Sequence, residues 1–219
     1  MVLLDEAEER GILIGDRYRV PGALRRTGLI EAVDVEADRV RTRVWRLDAG
    51  EIDLPDPLLI ADGHHRYETA VTFREEQPDA THTFVVAVSS RSAGLEIFPT
   101  HRVAADLDVE PDTWMTSTWD QSSLALYREG NFYRVDSDDE LDARAVERYA
   151  SEVEYTPNAQ EAIDAVDSGL FQAAFLVRAP TVEQVAAFAR RGETMPQKST
   201  YFYPKLTSGL LFHPIGDVE

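Results

Sequence analysis

The chain has 219 residues, 40 of them acidic against 22 basic, for a formal net charge of −18. That balance opposes attraction to a nucleic-acid backbone or an anionic membrane, and the 43% hydrophobic content is enough for a packed core. The absence of cysteine excludes disulfides, a thiol nucleophile and thiolate metal ligands.

The start, MVLLDEAEER, is acidic where a signal peptide would be positive, and no apolar run approaches the ~18 residues of a membrane span. A soluble cytoplasmic protein is expected. Residues 2–10 predict a short helix ending at Gly11. Residues 17–47 alternate loosely, as RYRV, GLIEAVDV and RVRTRVWRL, and predict strands of a sheet. Residues 54–57 form a proline-punctuated connector. Leu58 to Ala61 reads as a buried strand that meets Asp62-Gly63. A helix is expected from His64 to Glu76, with Tyr67, Ala70, Val71 and Arg74 on one face. Thr83 to Ser90 and Leu95 to Val103 predict two strands. Leu124 to Arg128 and Phe132 to Val135 flank Glu129-Gly130-Asn131, a hairpin signal. The acidic run Asp136 to Asp142 predicts a solvated loop before a helix at 143–150.

The pattern then becomes more regular. A strand at 152–155 is followed by a helix opened by Asn158 and Glu161 and closed by Gly169. A buried strand at 173–177 precedes a second helix, capped by Thr181 and Gln184 and ended by Gly192. The fold expected is α+β or α/β: a mixed-sheet lobe over 1–140 and a C-terminal β-α-β-α unit over 141–219.

Three segments concentrate chemistry. In IADGHHRYE, a strand delivers Asp62, Gly63 permits a tight turn, and a helix opens with His64, His65 and Arg66. Unpaired N–H groups and the positive dipole end make such a start an anion site. Arginine adds a planar fork, and the histidines can donate hydrogen bonds or shuttle protons. Asp62 could take a proton from an attacking hydroxyl or hold Mg²⁺; equally, it could simply cap the helix. PTHR, with Thr100, His101 and Arg102, is either a polar strand end or a second part of an anion site. In MPQKSTYFYPKL stand Lys198, Ser199, Thr200, Tyr201 and Lys205. Lys198 and Lys205 are the only lysines, the other 20 basic residues being arginine. Lysine is a compact point charge that meets phosphate end-on. The aromatics either pack or stack on a base. The glycines of a phosphate loop are absent. Acid excess with scarce lysine also resembles the composition of halophilic proteins, whose carboxylates hold water in concentrated salt.

In this order, IADGHHRYETA, FPTHR and MPQKSTYFYPKLTSGLLF resemble the domain-of-unknown-function 1015 family over roughly residues 12–212. The first motif alone is similar to the strand–DGHHR–helix element of the ParB/sulfiredoxin superfamily, which includes free-serine kinases. That resemblance implies that Asp62, His64, His65 and Arg66 contact nucleotide phosphates. The expected activity is phosphotransfer from ATP or ADP with Mg²⁺ to a small hydroxylated metabolite, serine among the candidates. Asp62 or Glu68 would be the base, with His65 beside them. Gly63, His64, Arg66, Thr100, His101, Arg102, Lys198, Ser199, Thr200, Tyr201 and Lys205 would hold the phosphorylated ligand. A phosphatase using the same cluster, or a non-catalytic nucleotide-binding regulator, are the alternatives. Two departures bear on them: longer relatives carry an N-terminal segment not seen here, and many have a His-Glu pair where this chain has Arg43-Val44. Sulfiredoxin chemistry is excluded because it needs a cysteine.

Overall fold

The structure is a computed structural model that describes residues 2–4, 30–37, 40–46, 58–92, 94–205 and Gly209. The chain divides into two units, Met1–Glu96 with Phe202–Glu219, and Ile97–Tyr201. The boundary expected at residue 140 therefore falls inside the second unit. The reason is topological: strands from both sides of that position interleave in one sheet.

In the first unit β1 (Val2–Leu4) is a strand, which corrects the helix expected over 2–10; residues 5–10 lie outside the described residues. Its pattern of three apolar residues is ambiguous locally, and tertiary partners decide it. β1 pairs antiparallel with β4 (Leu59–Ile60) and parallel with β5 (Ala87–Ser89), giving a mixed three-stranded sheet in the order β4-β1-β5. The early alternating segment forms a hairpin, β2 (Ile30–Ala37) against β3 (Val40–Arg46), with an irregularity between Glu31 and Val33. The RYRV strand and the connector at 54–57 lie outside the described residues. Helix α1 (His64–Glu76) has the expected bounds, yet none of its residues is buried, and Tyr67 and Val71 are exposed. Thr83 to Val86 is not strand; Phe84 and Val85 are exposed and pairing begins at Ala87.

The second unit is built on a six-stranded sheet in which every pairing is antiparallel. The strand expected over 95–103 is broken at Pro99-Thr100 into β6 (Glu96–Phe98) and β7 (His101–Ala104), because proline cannot donate to a ladder. β8 (Thr113–Thr116), not anticipated from the sequence, forms one edge. β9 (Ala125–Arg128) and β10 (Asn131–Val135) form the expected hairpin. Its two turn residues, Glu129 and Gly130, have φ of 52° and 76°, the doubly positive turn that matches strand twist. Helix α2 (Asp142–Val146) is shorter than expected. β11 (Glu154–Thr156), α3 (Ala159–Asp167), β12 (Ala173–Leu176) and α4 (Val182–Arg190) follow, and Asn158 and Thr181 cap the two longer helices as the sequence indicates. β13 (Tyr201–Tyr203) pairs with β6.

Strand order is β11-β7-β12-β9-β10-β8. β11 and β12 both border β7 and run antiparallel to it, so α3 links two strands that do not pair. The expected β-α-β-α unit is present as β11-α3-β12-α4, within an α+β arrangement. Alternation along the central strands sends Leu124, Leu126, Ala173 and Phe175 to a core with α2, and Ala125, Tyr127, Ala174 and Leu176 to a core with α3. Both faces are covered, which is why β12 is apolar at every position. Burying Phe175 alone is worth about 2–3 kcal/mol.

Candidate functional site

The three motifs are distributed over the two units, and each unit assembles its own cluster. In the first, the short strand β4 ends at buried Ala61 and half-buried Asp62. Gly63, at φ 92° and ψ 30°, turns the chain into α1 from the left-handed region that favours glycine. A Cβ at Gly63 would lie 3.0 Å from Arg66 Nη2 and 3.1 Å from its Nε, so the guanidinium is folded over the turn. Arg66 Nη2 lies 3.6 Å from Asp62 Oδ2, and Lys205 Nζ lies 3.5 Å from the same oxygen. The third motif is thereby brought to the first. On the exposed side of α1, His65 Nδ1 is 3.2 Å from Glu68 Oε2, and the Thr69 hydroxyl donates to the His65 carbonyl at 2.8 Å.

The start of α1 differs from those of α3 and α4. Asn158 accepts from the Gln160 N–H, Thr181 and Gln184 form a reciprocal capping box, and each first turn holds a glutamate. Gly63 supplies no side-chain cap, and the first turn of α1 has no acid. Its orphan N–H groups sit beside His64, His65 and Arg66, an arrangement suited to an anion.

The second unit unites PTHR with part of the lysine motif. Thr100, His101 and Arg102 are buried at 7%, 2% and 3% exposure. His101 Nδ1 accepts from the Val177 N–H at 3.2 Å, just past the end of β12, and its ring meets Trp119 edge-on at 5.3 Å. Burial, with the neighbouring Arg102 charge, lowers its pKa to about 4. The ring is neutral at pH 7 and spends its acceptor nitrogen on the backbone, so His101 satisfies the sheet end and is no cation for a phosphate. The Arg102 guanidinium donates to the carbonyls of Thr100 and Gln197, the latter at 3.3 Å, and stands 5.6 Å from the Tyr155 ring centroid. Burial lowers its pKa, against the fields of Tyr155, Glu147 and Asp142. Buried Ser199 donates to the Pro196 carbonyl at 2.6 Å. Lys198 is exposed at φ 56°, a left-handed conformation uncommon outside glycine. Thr200 is half-buried, and Tyr201 stacks with Phe98 at 6.2 Å.

Two residues that sequence reasoning passed over organise this region. Asp142, expected in a solvated loop, is 5% exposed. It accepts from the Arg178 N–H at 2.7 Å and from the Arg178 guanidinium at 2.6 Å, which raises the Arg178 pKa. Nothing in the acidic run distinguishes Asp142 from its neighbours except that it follows the first leucine. Arg102, Asp142, Arg178 and Ser199 border one cleft of about 520 Å³.

Among the described residues, no three His, Asp or Glu side chains converge as metal ligands. Asp62, the expected Mg²⁺ ligand, faces two cations instead. These residues do not form a Mg²⁺ site by themselves.

Fold and first cluster together define an α+β protein with an open, cation-flanked helix start. The chain belongs to the family described as protein of unknown function (DUF1015), which matches residues 23–168. No curated protein matches it. Among solved structures it is similar to a conserved hypothetical protein from Pyrococcus furiosus, at 16% identity over 68% of this chain and 71% of that one, with a TM-score of 0.42. It is also similar to a free serine kinase in complex with AMP (16% identity, 68% of each chain, TM-score 0.43) and to a variant of that kinase in complex with ADP (18%, 68% of each chain, 0.44). At these scores nothing about this chain's chemistry follows from the likenesses.

Proposed function

We propose that this protein is a nucleotide-dependent phosphotransferase acting on a small hydroxylated metabolite, with its phosphate site at the start of α1. The observation that carries the reading is the acid-free first turn of α1 without a side-chain cap, beside Arg66 and Lys205, which both approach Asp62 Oδ2. In a chain of net charge −18, such a place draws phosphate oxygens. Phosphoryl transfer needs mainly positioning and charge neutralisation. The backbone N–H groups of the turn and the Arg66 guanidinium supply both, and Asp62 anchors Arg66 and Lys205. Glu68 orients His65 through Nδ1, leaving Nε2 to take the proton of the attacking hydroxyl. The wider kinship of residues 62–68 with the ParB/sulfiredoxin superfamily is part of this proposal.

The test is phosphorus NMR on the protein with ATP or ADP, Mg²⁺ and an amino-acid mixture. A new phosphomonoester that requires the protein and is lost in Arg66→Ala supports the reading. Unaltered nucleotide affinity in both Arg66→Ala and Lys205→Ala would refute it. A second reading, a non-catalytic nucleotide-binding regulator, is favoured by Arg43-Val44 on β3 in place of a His-Glu pair; nucleotide binding without turnover is its signature.

A further inference from the structure

We propose that the cleft of the second unit is a separate binding site for a small monocarboxylate, held by Arg102. The inference rests on that unit alone and is independent of the phosphotransferase reading. Ion pairing around the cleft leaves one arginine without a direct carboxylate partner, while Arg191 is shared with Glu193 at 2.9 Å. Asp142 has Arg178 at 2.6 Å, Glu140 has Arg191 at 2.9 Å, and Asp139 has Arg148. Arg102 also borders the cleft and is 3% exposed, yet it forms no ion pair with a carboxylate of the described residues. Its partners are two carbonyls and the face of Tyr155. Carbonyl dipoles and a ring face stabilise a guanidinium but do not neutralise it, and a buried cation without a counter-charge is unfavourable. Its lowered pKa has the same origin, since burial outweighs the negative fields around it.

A carboxylate brings Arg102 the direct partner it lacks, whereas Asp139, Glu140 and Asp142 in the same lining disfavour the second charge of a dianion. A guanidinium has five N–H donors in a planar fork, two of them used by the carbonyls, and a carboxylate matches that fork with two parallel bonds. Leu141, Val177 and Pro180 give the cleft an apolar side for the body of the ligand. A volume of about 520 Å³ suits a small metabolite. The Thr181 hydroxyl accepts from Gln184 and keeps its own proton to donate.

The experiment titrates ¹⁵N-labelled protein at pH 7 with sodium acetate, and separately with sodium sulfate and sodium chloride at equal ionic strength. Acetate is expected to move the amide signals of Val177, Arg178 and Ser199 saturably, while sulfate and chloride produce only an unsaturated drift. Arg102→Gln should weaken the acetate response at least about tenfold. An undiminished response in a folded Arg102→Gln variant overturns the proposal. Should that variant fail to fold, the native titration decides: no saturable shift up to about 100 mM acetate, or tighter binding of sulfate than of acetate, overturns it equally.

Discussion

Stability should fall with acidification through one identifiable group, His101. Its ring accepts from the Val177 N–H inside the sheet, and burial with the adjacent Arg102 charge brings its pKa from 6.5 to about 4. In the unfolded chain the ring protonates near 6.5, whereas the folded protein resists protonation until about 4. The folded state is therefore fully favoured above pH 6.5 and loses ground as the pH falls toward 4, below which this group adds nothing further. At 1.36 kcal/mol per pKa unit, the loss across that window is about 3 kcal/mol. The assay is urea unfolding from pH 7.5 to 4 at constant salt, comparing the native protein with His101→Asn, whose amide oxygen can still accept from Val177. The difference in stability between the two proteins should change by about 3 kcal/mol over the window, the native protein being relatively stronger at high pH. Parallel pH curves, or a directly titrated His101 near 6.5, would refute the neutral, buried state of His101.

Further outcomes follow from single contacts. Asp142→Asn strips the buried partner from Arg178, whose half-exposed guanidinium softens the effect; a loss of about 2–3 kcal/mol by chemical denaturation is expected. Gly63→Ala places a Cβ against the Arg66 guanidinium at a φ of 92° and should cost about 1 kcal/mol. It also displaces Arg66 from Asp62, so ADP affinity measured by calorimetry should drop several-fold. Phe175→Ala opens a cavity between the sheet and α2, beneath the stacked Tyr149 ring, and should lower stability by about 3–4 kcal/mol without a change in ADP affinity.

Local chemistry made much of this molecule legible in its sequence. The hairpin at Glu129-Gly130, the caps at Asn158 and Thr181, and the bounds of α1 all depend on contacts within a few residues, and those signals are written where they act. The DGHHR turn is legible for the same reason: glycine, the helix start and the His-His-Arg side chains are consecutive. What the sequence could not express is pairing over distance. Val2–Leu4 is a strand because β4 and β5, some sixty and eighty residues on, offer backbone partners. Asp142 looks like any acid of its run until Arg178 closes on it. His101 and Arg102 are neighbours with the appearance of one anion site, but alternation in β7 sends them to opposite faces. One becomes a neutral acceptor at a sheet end, and the other a buried cation in a cleft. Side-chain type is a property of the chain, while hydration and the nearest opposite charge are properties of the fold, and those two decide what each charged group can do.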